Sequence, residues 1–289
     1  MRHKYDANQR CHERGPYGSE RRSAILTEER FMVQAVHRAI HVLRELATAT
    51  PRLGVTELAD RIGVAKPTAH ALLRTLEAEG LVVQDRESGK YQLGPGLVTL
   101  GNAYLDSHEL RTRAATWADR LATQADAAVW TGILMDGHVL VVHHAFRPGG
   151  AMQVLETGAS LPWNACALGK AVAAFLPAER RTALLTGELP RVTGSSLDDP
   201  AELQAQLDRV RETGYAVDEN ELTLGDAGIA APVFDRTGEV VGGLGLVGPI
   251  ERLLAENARQ EHAISVREVA RSLSRDLGAP RNAGLRACN

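Results

Sequence analysis

Lys66, Thr68, His70 and Arg74 crowd into one short stretch and carry the donors that nucleic acids recognise. A lysine or arginine neutralises a phosphate, and an arginine can also grip guanine through two parallel hydrogen bonds. A threonine hydroxyl or an imidazole reaches a base edge or a phosphate. Arg74 lies one turn further back, which suits a phosphate contact; the plainer alternative is an ordinary surface charge. Arg86 and Lys90 follow in a charged turn and suit phosphates too. A second group, His143, His144, Cys166 and Asp218, suggests a nucleophile with its base or a set of metal ligands. Adjacent histidines on a strand point to opposite faces, so both do not easily enter one site. No Cys-x-x-Cys, His-Glu-x-x-His or Gly-rich phosphate loop accompanies them. Cys166 therefore reads better as a small apolar residue, and no enzymatic activity, metal or cofactor is expected.

The first group needs a helix to present it. Residues 55–62 read as a short amphipathic helix capped by Thr56, and 63–65 as a tight turn. Pro67 suits a first helical position, where its missing N–H costs nothing. Ala69, Leu72, Leu73 and Leu76 share one face at helical spacing, and Gly80 stops the helix. The opposite face carries Pro67, Ala71, Arg74 and Ala78, with Thr68 and His70 on its flanks. Residues 81–84 and 91–93 flank the charged turn 85–90 as a hairpin. Helix, turn, helix and hairpin make a winged helix-turn-helix, whose second helix fits the DNA major groove. A packing hairpin of helices is the alternative, and the wing, a third independent element, argues against it. Upstream, Val33, Val36, Ile40, Leu43, Leu46 and Ala47 mark a helix expected to pack under this unit. Residues 1–30 are polar and Arg-rich and are expected to be disordered; Met32 is a candidate start.

Beyond the wing, Gly94-Pro95-Gly96 punctuates the chain. Leu97, Leu100, Tyr104 and Leu105 then form the apolar stripe of a linker helix over 95–108. The stripe can pair with a second chain or be buried against its own domain. A second domain is expected over 109–278: a helix at 110–125, then strands at 129–134 and 138–144 joined by an Asp136-Gly137 hairpin turn. A third strand at 152–156, a helix at 166–176 and another from Pro177 come next. A helix at 200–213 ended by Gly214, strands at 215–217, 229–234 and 240–247, and a closing helix at 257–277 complete it. Hairpin connections mixed with helices indicate an α+β fold around an antiparallel sheet. Residues 279–289 read as a loose tail.

At 289 residues, 44% of them hydrophobic, the chain has room for two packed domains. The net charge of −3 hides an asymmetry. Residues 1–94 hold 15 Lys+Arg against 12 Asp+Glu, and 95–289 hold 18 against 24. A mildly basic front and an acidic back suit a small DNA reader joined to a larger domain. Cys11, Cys166 and Cys288 form no evident pair, which suits a reducing, cytoplasmic setting. No secretory h-region and no apolar run of about 18 residues is present.

Together these residues resemble the IclR family of bacterial transcriptional regulators over about residues 31–278. The marks are Leu72-Leu73-Arg74-Thr75-Leu76-Glu77, Gly80-Leu81-Val82, Tyr91-Gln92-Leu93-Gly94, Ala167-Leu168-Gly169-Lys170-Ala171, Gly214-Tyr215-Ala216, the run 229–235 and Gly248-Pro249. The resemblance implies an N-terminal winged helix-turn-helix (31–94), a GAF-like effector domain, operator DNA as partner, and dimers that can associate into tetramers. It also implies an effector site at the helix start Ala167-Leu168, beside Cys166, with the acidic position retained as Asp218. Gly228 stands where a cysteine is usual, and Gly245 and Val247 where serines are. Pro67 and Ala71 likewise replace a usual serine and arginine. The pocket is therefore expected to be reshaped and roomier at Gly228 and Gly245, with Trp130 and Trp163 as candidate walls. Arg147 and Lys170 could supply charge for a phosphate. A narrower resemblance, carried by Tyr104-Leu105-Asp106, His108-Glu109-Leu110-Arg111, His143-His144 with Phe146-Arg147-Pro148, and the run 274–279, links the chain to actinobacterial glycerol-operon regulators. It implies glycerol or glycerol 3-phosphate as effector. An aromatic or apolar effector, or a second domain that only oligomerises, are the alternatives. The mechanism implied is a population shift, in which effector selects one arrangement of paired linker helices.

Overall fold

The computed structural model describes residues 33–48, 52–149 and 153–284. The expectations for residues 1–32, and for the last five residues of the tail, lie outside it. The chain divides into two units between Asn102 and Ala103.

The first unit holds α1 (Gln34–Thr48), α2 (Val55–Arg61), α3 (Lys66–Ala78), β1 (Val82–Gln84) and β2 (Tyr91–Leu93). Helix α2 starts from Gly54 and has no side-chain cap, so Thr56 lies inside the helix rather than capping it. Helix α3 begins one residue ahead of Pro67, which occupies its second position. Gly80, at φ +69°, closes α3: Gly80 N–H bonds to Glu77 O and Leu81 N–H to Leu76 O, the paired bonds of a Schellman end. Leu58, Leu73, Val82 and Tyr91 pack with Val42 and Leu46 of α1 into one core. The stripe expected to pack there does only part of this. Val33, Val36 and Ile40 are 65%, 59% and 44% exposed, so α1 docks through Val42 and Leu46 and turns its other apolar edge outward.

Helix α4 (Gly96–Ser107) carries the linker stripe across the division and has no buried residue; Leu100 is 60% and Tyr104 43% exposed.

The second unit is a six-stranded antiparallel sheet ordered β5-β4-β3-β8-β7-β6, built from β3 (Ala128–Met135), β4 (His138–Ala145), β5 (Ser160–Pro162), β6 (Ala216–Glu219), β7 (Asp226–Phe234) and β8 (Val240–Pro249). Helices α5 (Glu109–Ala125) and α10 (Ala258–Asp276) cover one face. There Leu121, Val266 and Leu273 meet Val129, Ile229, Val233, Leu244 and Leu246. Helices α6 (Ala167–Ala173), α7 (Ala178–Thr186) and α8 (Pro200–Thr213) form a second core, where Leu168, Leu203 and Leu207 meet Val139 and Ala230. The period of two along β7 sends Ile229, Ala231 and Val233 to one core and Ala230 to the other. A short helix α9 (Ile250–Leu253) precedes α10.

Residues 153–156 are not a strand. The Gln153 side chain bonds both the N–H and the carbonyl of Arg147, and Glu156 N–H bonds His144 Nδ1, so side chains take the place of a backbone ladder. The third strand is instead β5, which pairs Val139 with Leu161. The tail is also not loose through Gly284: Ala279 N–H bonds Ser274 O, and Ala283 N–H bonds Pro280 O.

Candidate DNA interface and effector cavity

On α3, Lys66, His70 and Arg74 are exposed and Thr68 is half-buried; Arg86 and Lys90 are exposed on the wing. None of these cations enters an ion pair among the described residues. Thr75 is less available, because its hydroxyl bonds Ala71 O. The wing has a fixed root. Asp85 pairs with Arg52, whose Nε bonds Gln92 at 2.9 Å. Asp85 also accepts from the Ser88 hydroxyl and N–H, at 2.7 and 2.8 Å, and these bonds with Ser88 hold its carboxyl below the usual range. The turn that presents Arg86 and Lys90 is thereby fixed from below. Arg52, Gln92 and Ser88 were not singled out from the sequence; only Ser88, three residues after Asp85, carries a local turn signal.

On the α6 side of the sheet lies a cavity of about 270 Å³. Trp130, Cys166, Ala167 and Leu168 line it, as do Asp218, Gly228, Gly245 and Val247. Of the effector residues expected from the sequence, Trp163 is the exception. It is buried in the second core beneath α6, where a Cβ at Gly169 would overlap its backbone, so it serves packing rather than the cavity wall. Glu156, Asp226, Leu222 and Thr223 complete much of the lining and were missed. They sit on or beside loops, where side-chain direction has no period to read.

Asp218 organises this site. Its Oδ2 accepts from Ala167 N–H at 2.9 Å, so an internal carboxylate already occupies the first amide of α6. Burial pushes its carboxyl up to about 6, against the opposing pull of that N–H and of Lys170. Gly228 and Gly245 do not widen the cavity as expected. A Cβ at Gly228 would collide with Asp218 Oδ2, and one at Gly245 would lie 2.6 Å from Ala230 Cβ. The space a side chain would need is filled by the acid and by the neighbouring strand.

Lys170 is withdrawn from any ligand. It is fully buried, with Nζ donating to Glu221 Oε1 at 2.6 Å and to Gln206 at 3.0 Å. Nothing in the sequence links Lys170 to Glu221, far along the chain. Arg147 lines an adjoining cleft with His144 rather than the cavity. Cys166 caps α6, its sulfur accepting from Gly169 N–H, and burial pushes its thiol up to about 12, which suits a packed thiol and not a nucleophile. His144 is buried and accepts from Glu156 N–H, whereas His143 is half-buried and feels Asp119 and Arg111 of α5. The two rings thus point apart. Among the described residues no cluster of His, Cys, Asp and Glu could hold a metal ion, and no helix is long and apolar enough to cross a membrane.

A basic, wing-flanked helix and a separate unit with its own cavity are the parts of a DNA-binding regulator. Comparison with known proteins places it. Residues 35–86 match the IclR helix-turn-helix domain and residues 102–275 the C-terminal domain of bacterial IclR transcriptional regulators. The chain belongs to the IclR family of DNA-binding transcriptional regulators, which are not enzymes. It is 45% identical to the glycerol operon regulatory protein of Streptomyces griseus over 86% of this chain and 98% of that one. The protein of the same name from Streptomyces coelicolor matches with the same identity and coverage. Among solved structures, an IclR transcriptional regulator from Alicyclobacillus acidocaldarius superposes with a TM-score of 0.73 at 30% identity, covering 85% of this chain and 99% of that one.

Proposed function

We propose that the protein is a cytoplasmic regulator of a glycerol-linked operon. In this reading it binds a roughly palindromic operator as a homodimer and is controlled by glycerol or a close derivative held in the α6 cavity. The operon assignment rests on the relatives' shared name at 45% identity along nearly their whole length. Lys66, Thr68, His70 and Arg74 contact DNA from α3, and Arg86 and Lys90 contact phosphates from the wing. One reader of this size binds weakly, and two copies related by a twofold axis read two half-sites about one helical turn apart. The exposed Val36 and Ile40 of α1, and Leu100 and Tyr104 of α4, supply apolar surface for that pairing. Effector binding shifts the pairing of the α4 helices, and so the spacing of the readers. Footprinting on DNA upstream of the gene tests this. We expect one protected, roughly twofold-symmetric region that Arg74→Ala and Thr68→Ala abolish without changing ligand-induced thermal stabilisation. Protection that survives both substitutions contradicts the interface.

A further inference from the structure

The cavity wall has a one-sided charge. Asp218, Asp226 and Glu156 line it, and no lysine, arginine or histidine does. None of the three carboxylates is in an ion pair among the described residues. Asp218 is only 6% exposed, and while its Oδ2 holds the Ala167 amide, its Oδ1 accepts no hydrogen bond from a described residue. Trp130 also lines the cavity, and its indole N–H is buried without an acceptor. The buried cation Lys170 is consumed by Glu221 and Gln206, and Arg147 and Arg252 lie on the adjoining cleft, Arg252 paired with Asp126.

Given that this cavity is the effector site, we propose that it selects an uncharged polyhydroxy compound and rejects the phosphorylated or carboxylated form of the same molecule. A hydroxyl group both donates and accepts. It can donate to Asp218 Oδ1 or Asp226 and accept from the Trp130 indole. A phosphate or carboxylate brings acceptors only and meets like charge in a poorly solvated space, where repulsion is weakly screened. An ammonium donates to the carboxylates but leaves the indole N–H unsatisfied, a costly arrangement when buried. The volume, about 270 Å³, falls below the ~300–1,000 Å³ of pockets for drug-sized ligands, which suits a metabolite of few heavy atoms. Size and hydrogen-bonding capacity therefore agree on a small polyol.

The test is calorimetric titration and thermal shift of the full chain with glycerol and with glycerol 3-phosphate, in the wild type and in Asp218→Asn and Asp226→Asn. Glycerol binding at least about tenfold tighter than glycerol 3-phosphate is expected, a gap of about 1.4 kcal/mol, with the gap narrowing in both variants as a negative charge is removed. Glycerol 3-phosphate binding as tightly as glycerol, or glycerol failing to bind, overturns the proposal. If the phosphate binds and the cavity substitutions alter its affinity, the cavity remains the effector site and only the neutral preference falls. If binding of either ligand is indifferent to both substitutions, the effector-site reading falls with it.

Discussion

Asp218, Lys170 and Glu221 are the buried charges of the second unit, and the unpaired acid behaves differently from the pair. Asp218 is buried without an ion-pair partner, and burial pushes its carboxyl up to about 6 from its ordinary 3.8. A raised folded-state value means that the folded protein binds the proton more tightly than the unfolded chain. The resulting stability is fully present below the unfolded value and is lost as pH rises through about 6. That rise in the carboxyl's value corresponds to roughly 3 kcal/mol. Thermal unfolding of wild type between pH 7 and 4 should therefore show an increment that Asp218→Asn lacks; parallel profiles would contradict the buried, unpaired acid. Lys170 is instead fully paired. Lys170→Met strands Glu221 and should cost about 3–5 kcal/mol in urea unfolding, whereas Lys170→Met with Glu221→Leu should recover most of it. If the double variant is no more stable than the single one, the pair is not the source of the loss.

The elements show what a sequence can and cannot carry. Helix α3, its Gly80 stop and the wing were legible because each depends on neighbours in the chain: apolar spacing, a glycine in a left-handed turn, a charged hairpin. Helical spacing set the direction of Lys66, His70 and Arg74, and the charged turn that of Arg86 and Lys90; all five are exposed. Replacing Arg86 or Lys90 with Ala should weaken operator binding across sequences and lower the salt slope by about one unit each. An unchanged slope in titrations at several salt concentrations would remove the wing from the phosphates. The cavity was legible only in outline. Ala167, Leu168 and Asp218 came from a family pattern, but glycine at 228 was mistaken for empty space. Whether a missing side chain leaves a void depends on what the next strand and Asp218 place there, and pairing across the sheet leaves no local trace. The strand expected at 152–156 failed similarly, since Gln153 and His144 replace the ladder with side-chain bonds. Lys170 meeting Glu221 was likewise invisible to any local rule.

At the scale of the whole molecule, regulation requires the effector unit to be heard by the reader. Helix α4 is the covalent route between the units; Leu105 packs against the second unit's core, while Leu100 and Tyr104 of its stripe stay exposed. In the proposed dimer, the apolar surface left open on α1 and α4 is where the second copy associates. Val36→Asp with Ile40→Asp should shift the protein towards monomer in sedimentation equilibrium and weaken operator binding, leaving each unit folded by circular dichroism. Leu100→Glu with Tyr104→Glu should uncouple effector from DNA; an intact effector response in that variant would exclude α4 as the route. The most direct measurement of the central claim is fluorescence-anisotropy binding of the full chain to DNA upstream of its gene, with and without glycerol, at two salt concentrations. The account predicts tight, salt-sensitive binding whose affinity glycerol changes, and a loss of that change in Asp218→Asn. Tight binding that glycerol leaves untouched at both salt concentrations would contradict it.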